Sequence, residues 1–195
     1  MLYRETGMPD EQTWITFFNP TDTLLQLGVN QHIHTLIDIG CGYGTFLIPA
    51  SKLITGTAIG IDIDEAMLQI CEQKVHEQGI QNLTLLHGDI TTTQTINDLK
   101  NQRASVDFIT MFNILHCEQP LELLKTAYQL LNDKGKAGVI HWIHGDTPRG
   151  PSMDIRPTPE KICTWAEKVG FVLEKQVDLP PYHYGLVFEK TAHTD

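Results

Sequence analysis

From about residue 34 onward, short apolar runs alternate with stretches whose apolar positions recur every three or four residues. That is the pattern of βαβ units feeding a parallel sheet. Thr35–Ile39 (TLIDI) reads as a buried strand, stopped by Gly40-Cys41-Gly42-Tyr43-Gly44. A helix follows to about Leu53. It begins near Tyr43 to Phe46, so that Pro49 falls in its first turns, where a missing N–H costs least. Thr57–Asp62 is the second strand. Asp64 then caps a helix running to about Gln78, with Glu65 in its first turn, Gly79 as its stop and Ala66, Ile70 and Val75 near one face. Leu83–His87, Val106–Phe112 and Ala137–Trp142 are the third, fourth and fifth strands. Between the last two, Glu118–Leu131 carries Leu121, Leu124, Tyr128 and Leu131 at helical spacing.

Beyond the fifth strand the pattern changes. His144–Pro157, with three prolines, two glycines and mixed charges, reads as a long loop, and Thr158–Val169 as a helix stopped by Gly170. Phe171–Val177 and Tyr184–Lys190 are extended runs separated by Asp178-Leu179-Pro180-Pro181, which suits an antiparallel hairpin at the end of the sheet. Residues 1–30 hold the aromatic run Trp14–Phe18 and a short helix near Asp22–Leu27. They read as a cap on one main domain, residues 31–195. Trp14, Phe17 and Phe18 either close over a ligand or cover the sheet, with Tyr3 and Arg4 further out.

The candidate chemistry begins at LIDIGCGYGTF, Leu36 to Phe46. A strand that feeds a glycine-rich turn lets backbone approach a ligand closely. Asp38 stands at the strand end, where open α/β sheets bind ligands. Asp62 ends the second strand, placed to accept the two ribose hydroxyls of an adenosine. HGDI, His87 to Ile90, follows the third strand, and Asp89 there suits an adenine amino group. A dinucleotide site asks for GxGxxG, whereas Thr45 occupies the place of the third such glycine. The combination points to a nucleoside cofactor.

In these segments the chain resembles the class I S-adenosylmethionine-dependent methyltransferases. LIDIGCGYGTF, GIDIDEAML (Gly60 to Leu68), LHGDI (Leu86 to Ile90), VDFITMFNILH (Val106 to His116) and LLNDKGKAGVIHW (Leu130 to Trp142) match in order and spacing over roughly residues 34–145. The resemblance implies an α/β, doubly wound, seven-stranded sheet, mostly parallel with an antiparallel last strand. It implies S-adenosylmethionine as cofactor and S-adenosylhomocysteine as product. By motif position, Gly40, Cys41, Gly42 and Gly44 would line the methionine part and Asp38 would orient its amino group. Asp62 would hold the ribose, Ile63 and Met67 would pack on adenine, and Asp89 and Ile90 would flank its amino group. Phe112 and Asn113 would face the methionine side.

Methyl transfer also needs an acceptor held in line with the S–CH3 bond. Beyond the strand ends, His116 and His144 are candidates to take the acceptor's proton. His141, Trp142, Arg149, Tyr182, His183 and Tyr184 are candidates to line the acceptor pocket, with Arg156 in the same loop. Fourteen Lys and Arg against 24 Asp and Glu give a charge of −10, which argues against a nucleic-acid partner and leaves a small-molecule acceptor as the expectation. The rivals are a protein or RNA acceptor, a nicotinamide oxidoreductase and a non-catalytic cofactor-binding module. The four cysteines, Cys41, Cys71, Cys117 and Cys163, form no CxxC pair. No metal, membrane segment or secretory leader is expected, and the chain reads as cytoplasmic. Oligomeric state has no signature.

Overall fold

β1 (Thr35–Ile39) is buried along its whole length, as a strand covered on both faces must be. It pairs in parallel with β2 (Thr57–Asp62) on one side and β4 (Val106–Phe112) on the other. β3 (Leu83–His87) extends the sheet beyond β2, and β5 (Leu131–Trp142) extends it beyond β4. β6 (Phe171–Leu179) and β7 (His183–Lys190) form a hairpin, and β7 inserts antiparallel between β5 and β6. The order is β3-β2-β1-β4-β5-β7-β6, the seven-stranded architecture expected from the sequence. The computed structural model describes residues 13, 16–17, 19–102 and 105–191. Tyr3, Arg4, Trp14 and Phe18 lie outside the described residues.

Alternation along the strands divides the core in two. Leu36, Ala58, Phe108 and Ile140 pack with α1 (Pro20–Gln26), α2 (Leu47–Leu53) and α3 (Glu65–Glu77) through Leu24, Leu47 and Leu68. Ile37, Ile59, Ile109 and Val139 pack with α4 (Thr93–Gln102), α5 (Pro120–Leu130) and α6 (Pro159–Val169) through Leu99, Leu124 and Ile162. Helix ends follow capping chemistry. The Asn19 side chain accepts from Asp22 N–H, Asp64 accepts from Ala66 and Met67 N–H, and Thr158 accepts from Lys161 N–H. Gly170 closes α6 at φ 111°.

Three departures from expectation have a local reason. α2 starts at Leu47, because Gly42 (φ 52°) and Gly44 (φ 79°) keep the preceding turn out of helical geometry. β5 starts six residues early, at Leu131, through a bulge in which its register against β4 breaks between Val106 and Phe108. Lys134 takes φ 64° inside that bulge, and Asn132 Nδ2 reaches Asp107 Oδ1 at 3.1 Å. α4 carries too few apolar residues, Ile96 and Leu99, to announce itself by periodicity.

Candidate active site

The carboxyl ends of β1, β2, β4 and β5 share one edge of the sheet. There Gly40 and Cys41 donate their N–H groups to Ile61 O at 2.8 and 3.2 Å, tying the glycine turn to β2. Asp62, the last residue of β2, completes the tie. Its Oδ2 accepts Gly42 N–H at 2.8 Å and its Oδ1 accepts Asp64 N–H at 2.9 Å. One carboxylate thus fixes the turn and the start of α3 together, and each oxygen retains a lone pair for a further donor. Lys74, on α3, braces the turn from behind by donating to Tyr43 O at 3.1 Å.

Gly44 is the tightest point of the turn. Its φ is +79°, and a Cβ there would stand 2.5 Å from the buried Cys71 Sγ. Gly44→Ala is therefore expected to cost about 1–3 kcal/mol, from left-handed strain and overpacking together. A urea unfolding midpoint unchanged by this substitution would disprove that account.

Asp38 is 4% exposed, and Thr110, its register partner on β4, donates a hydroxyl to Asp38 Oδ1 at 2.6 Å. Burial pushes the Asp38 carboxyl up to about 7; the Thr110 hydroxyl holds it down and the Asp62 charge adds to the rise. Burial, and then the charges of Asp38 and Asp62, push the Cys41 thiol far above its ordinary range, which disfavours the thiolate.

Ile63 is 44% exposed where the chain leaves β2, with half-buried Met67 one turn further along α3. Exposed apolar surface beside a carboxylate that holds a glycine turn is a platform for a flat ring. Asp89 Oδ1 accepts from Thr91 N–H and Oγ1 at 2.8 and 2.7 Å, and Ile90 is buried behind it. Across the turn, Phe112 meets Phe46 edge-to-face at 4.7 Å. Asn113 takes φ 56°, donates its N–H to Ile140 O at 2.8 Å, and keeps a buried Oδ1 that has no hydrogen-bond partner among the described residues. Ile114 Cγ2 packs 3.0 Å from the position of a Cβ at Gly40. The segment after β4 therefore lies against the glycine turn.

The residues expected to line an acceptor pocket fall into three groups. Trp142, Tyr182 and His183 cluster on the α1–α3 face, with Trp142 and His183 ring centroids 4.0 Å apart and Phe17 edge-on to Trp142 at 5.4 Å. His141 and Tyr184 point to the opposite face with His116. His116 Nδ1 and His141 Nε2 are 3.3 Å apart, and the Tyr184 hydroxyl donates to Pro157 O. Burial, and then the Arg156 charge, pull His183 down to about 3; burial and then His116 pull His141 well below its ordinary value. Burial thus favours the neutral form of both rings. Arg149 is exposed on the loop after β5, whereas Arg156 is buried among that loop's carbonyls.

Thr110, Ile114 and the loop-building role of Arg156 were missed in the sequence. Only the strand register shows that Thr110 faces Asp38. Among the described residues no cluster of His, Cys, Asp and Glu could hold a metal ion, and no helix is long and apolar enough to cross a membrane.

A profile described as "Methyltransferase domain" matches residues 36–135. The chain belongs to this family. The methyltransferase domain is 29% identical over 122 residues to a demethylmenaquinone methyltransferase of Oceanobacillus iheyensis, covering 61% of this chain and 48% of that one. It is 34% identical over 74 residues to a ribosomal protein L11 methyltransferase of Caldanaerobacter subterraneus, covering 38% and 21% of the two chains. The domain spans about half or less of these curated relatives. Its fold matches a solved SAM-dependent methyltransferase from Aquifex aeolicus, with TM-score 0.80, 22% identity, and 93% and 95% of the two chains covered.

Proposed function

We propose that this protein is an S-adenosylmethionine-dependent methyltransferase of the cytosol that acts on a small molecule. The observation that carries the reading is the joint placement of Asp62, the glycine turn and Asp38 on one sheet edge. The residues present fit the cofactor. Asp62 would take the ribose hydroxyls, with Ile63 and Met67 against adenine and Asp89 and Ile90 at its amino group. The turn Gly40, Cys41, Gly42 and Gly44 would admit the methionine chain, beside Phe112 and Asn113. Asp38 would meet the α-ammonium, a cation that suits a buried carboxylate. The cofactor supplies an activated methyl group, and the protein's part is to bind, align and exclude water.

A small acceptor is supported by the Oceanobacillus relative, whose name gives a quinone-type compound as its substrate, and by the net charge of −10. The neutral histidines and the aromatic cluster of Phe17, Trp142, Tyr182 and His183 favour an uncharged acceptor over an anionic one. A cytosolic location is supported by four free cysteines.

Calorimetric titration with S-adenosylmethionine, S-adenosylhomocysteine and NADH tests the reading. Binding of the two sulfur compounds at micromolar concentration, and of NADH not at all, is the expected result. Binding of NADH, or of none of the three, would overturn it.

A further inference from the structure

The loop that follows β5 is wound around a single side chain. Arg156 is 7% exposed and faces no carboxylate among its hydrogen-bond partners. Its Nε donates to Pro151 O at 3.0 Å. Its Nη1 donates to Ile143 O and Gly145 O at 3.0 Å each and to Thr147 Oγ1 at 2.8 Å. Its Nη2 donates to Pro151 O at 2.7 Å and to Arg149 O at 3.4 Å. All three guanidinium nitrogens are thereby engaged, so Arg156 offers no donor to an anionic substrate. Its role is to shape residues 143–151 from the inside.

The same residue's backbone holds His144. His144 Nδ1 lies 3.0 Å from Arg156 O. A carbonyl oxygen can only accept, so in the neutral imidazole the proton sits on Nδ1 and the lone pair is left on Nε2. His144 is exposed, two residues past the end of β5. On that edge Asn113, which follows β4, donates to Ile140 O. The loop residues that follow His144, with Gly145, Arg149, Met153 and Arg156 among them, line an open groove on the surface.

His116 is arranged differently. Its Nδ1 faces another imidazole, His141 Nε2 at 3.3 Å, and either ring can be the donor.

We propose that His144 is the proton acceptor of the reaction and that Arg156 is its positioning residue, holding the loop by its guanidinium and the imidazole by its carbonyl. The proposal rests on the methyltransferase reading above. As the bond from the acceptor atom to the methyl carbon forms and the sulfur–methyl bond breaks, the sulfonium charge is discharged to a neutral thioether. The acceptor's proton passes to His144 Nε2, and the imidazolium then carries the single positive charge until water removes the proton.

Side-chain nitrogen spectra of isotopically labelled protein at pH 8, with S-adenosylhomocysteine added, read the tautomers directly. The expected result is His144 in the Nδ1–H form in the wild type. In Arg156→Lys, which cannot span the same acceptors, His144 should revert to a mixture, and Thr147→Val should shift it part of the way. His144 in the Nε2–H form in wild type overturns the proposal without need of any variant. So does a folded Arg156→Lys whose His144 is unchanged. Calorimetry on the same wild-type sample separates the two levels. An Nδ1–H His144 in a protein that binds no S-adenosylhomocysteine removes the methyltransferase reading, and the proton-acceptor role with it, while a wrong tautomer in a protein that binds it removes the proposal alone.

Discussion

Asp62→Ala will weaken S-adenosylmethionine binding by roughly a hundredfold to ten-thousandfold. Two hydrogen bonds from ribose hydroxyls to a carboxylate contribute about 1.5–3 kcal/mol each, and each 1.4 kcal/mol is about a factor of ten. The substitution also strips Gly42 N–H and Asp64 N–H of their acceptor, so the turn and the start of α3 lose their common anchor. Asp62→Asn separates these effects. An amide keeps one oxygen for one of the two N–H groups but loses the charge, and its affinity should fall between those of Asp62→Ala and wild type. Calorimetric titration of both variants, after a thermal melt has shown that they fold, is the measurement. Affinity within threefold of wild type in the folded alanine variant would remove Asp62 from the site.

Asp38→Asn will act in two opposite directions. At pH 8 the native protein carries an ionised carboxylate at a position 4% exposed. A rise from 3.8 to about 7 corresponds to on the order of 4 kcal/mol of lost stability. Asparagine removes that cost and can still take the Thr110 hydroxyl, so the variant should resist urea better at pH 8 while binding S-adenosylmethionine more weakly, having no charge for the ammonium.

The pH profile supplies the sharper check. Because the Asp38 carboxyl is raised, the folded state holds an extra proton between about pH 4 and 7, and this group favours folding in acid. His141 and His183 are lowered, so the unfolded state holds their extra protons below about pH 6.5, and stability falls as pH falls. As pH falls below about 6.5 the two histidines and Asp38 therefore act on stability in opposite directions. Asp38→Asn removes the opposing group, so the variant's stability should fall more steeply from pH 6 to pH 5 than that of the wild type. Urea titrations at pH 8, 6 and 5 decide the matter. A slope unaltered by the substitution, or a variant less stable at pH 8, would refute the account.

The order of elements was legible because most strands are short apolar runs and most helices carry their own start and stop residues. Asp64 caps its helix and Gly170 follows the end of α6 as the sequence suggested. α4 was not legible, since a surface helix with two apolar residues has almost no period to read. The early start of β5 was hidden because a bulge suspends the alternation that marks a strand. Asp38 and Asp62 stood out by motif, but the hydroxyl behind Asp38 belongs to a strand 72 residues away and appears only with the register. The acceptor side was least legible. Neighbours in sequence on a strand point to opposite faces, so Trp142 and His141, or His183 and Tyr184, separate into different environments although they adjoin in the chain. Nothing in the letters of residues 143–156 tells a substrate-facing arginine from one enclosed by its own loop.

The placement of β7 has a consequence for how the molecule is made. The strand between β5 and β6 is the later half of the closing hairpin, so the sheet cannot be zipped up in the order of synthesis. While a ribosome is still adding residues 183–190, β5 presents an open, apolar edge, and β6 has no neighbour through which to join it. Edges of this kind invite association between nascent chains. The interval before residue 190 clears the exit tunnel is therefore when the protein depends most on chaperones, and slowing translation there should lower its soluble yield more than slowing it earlier.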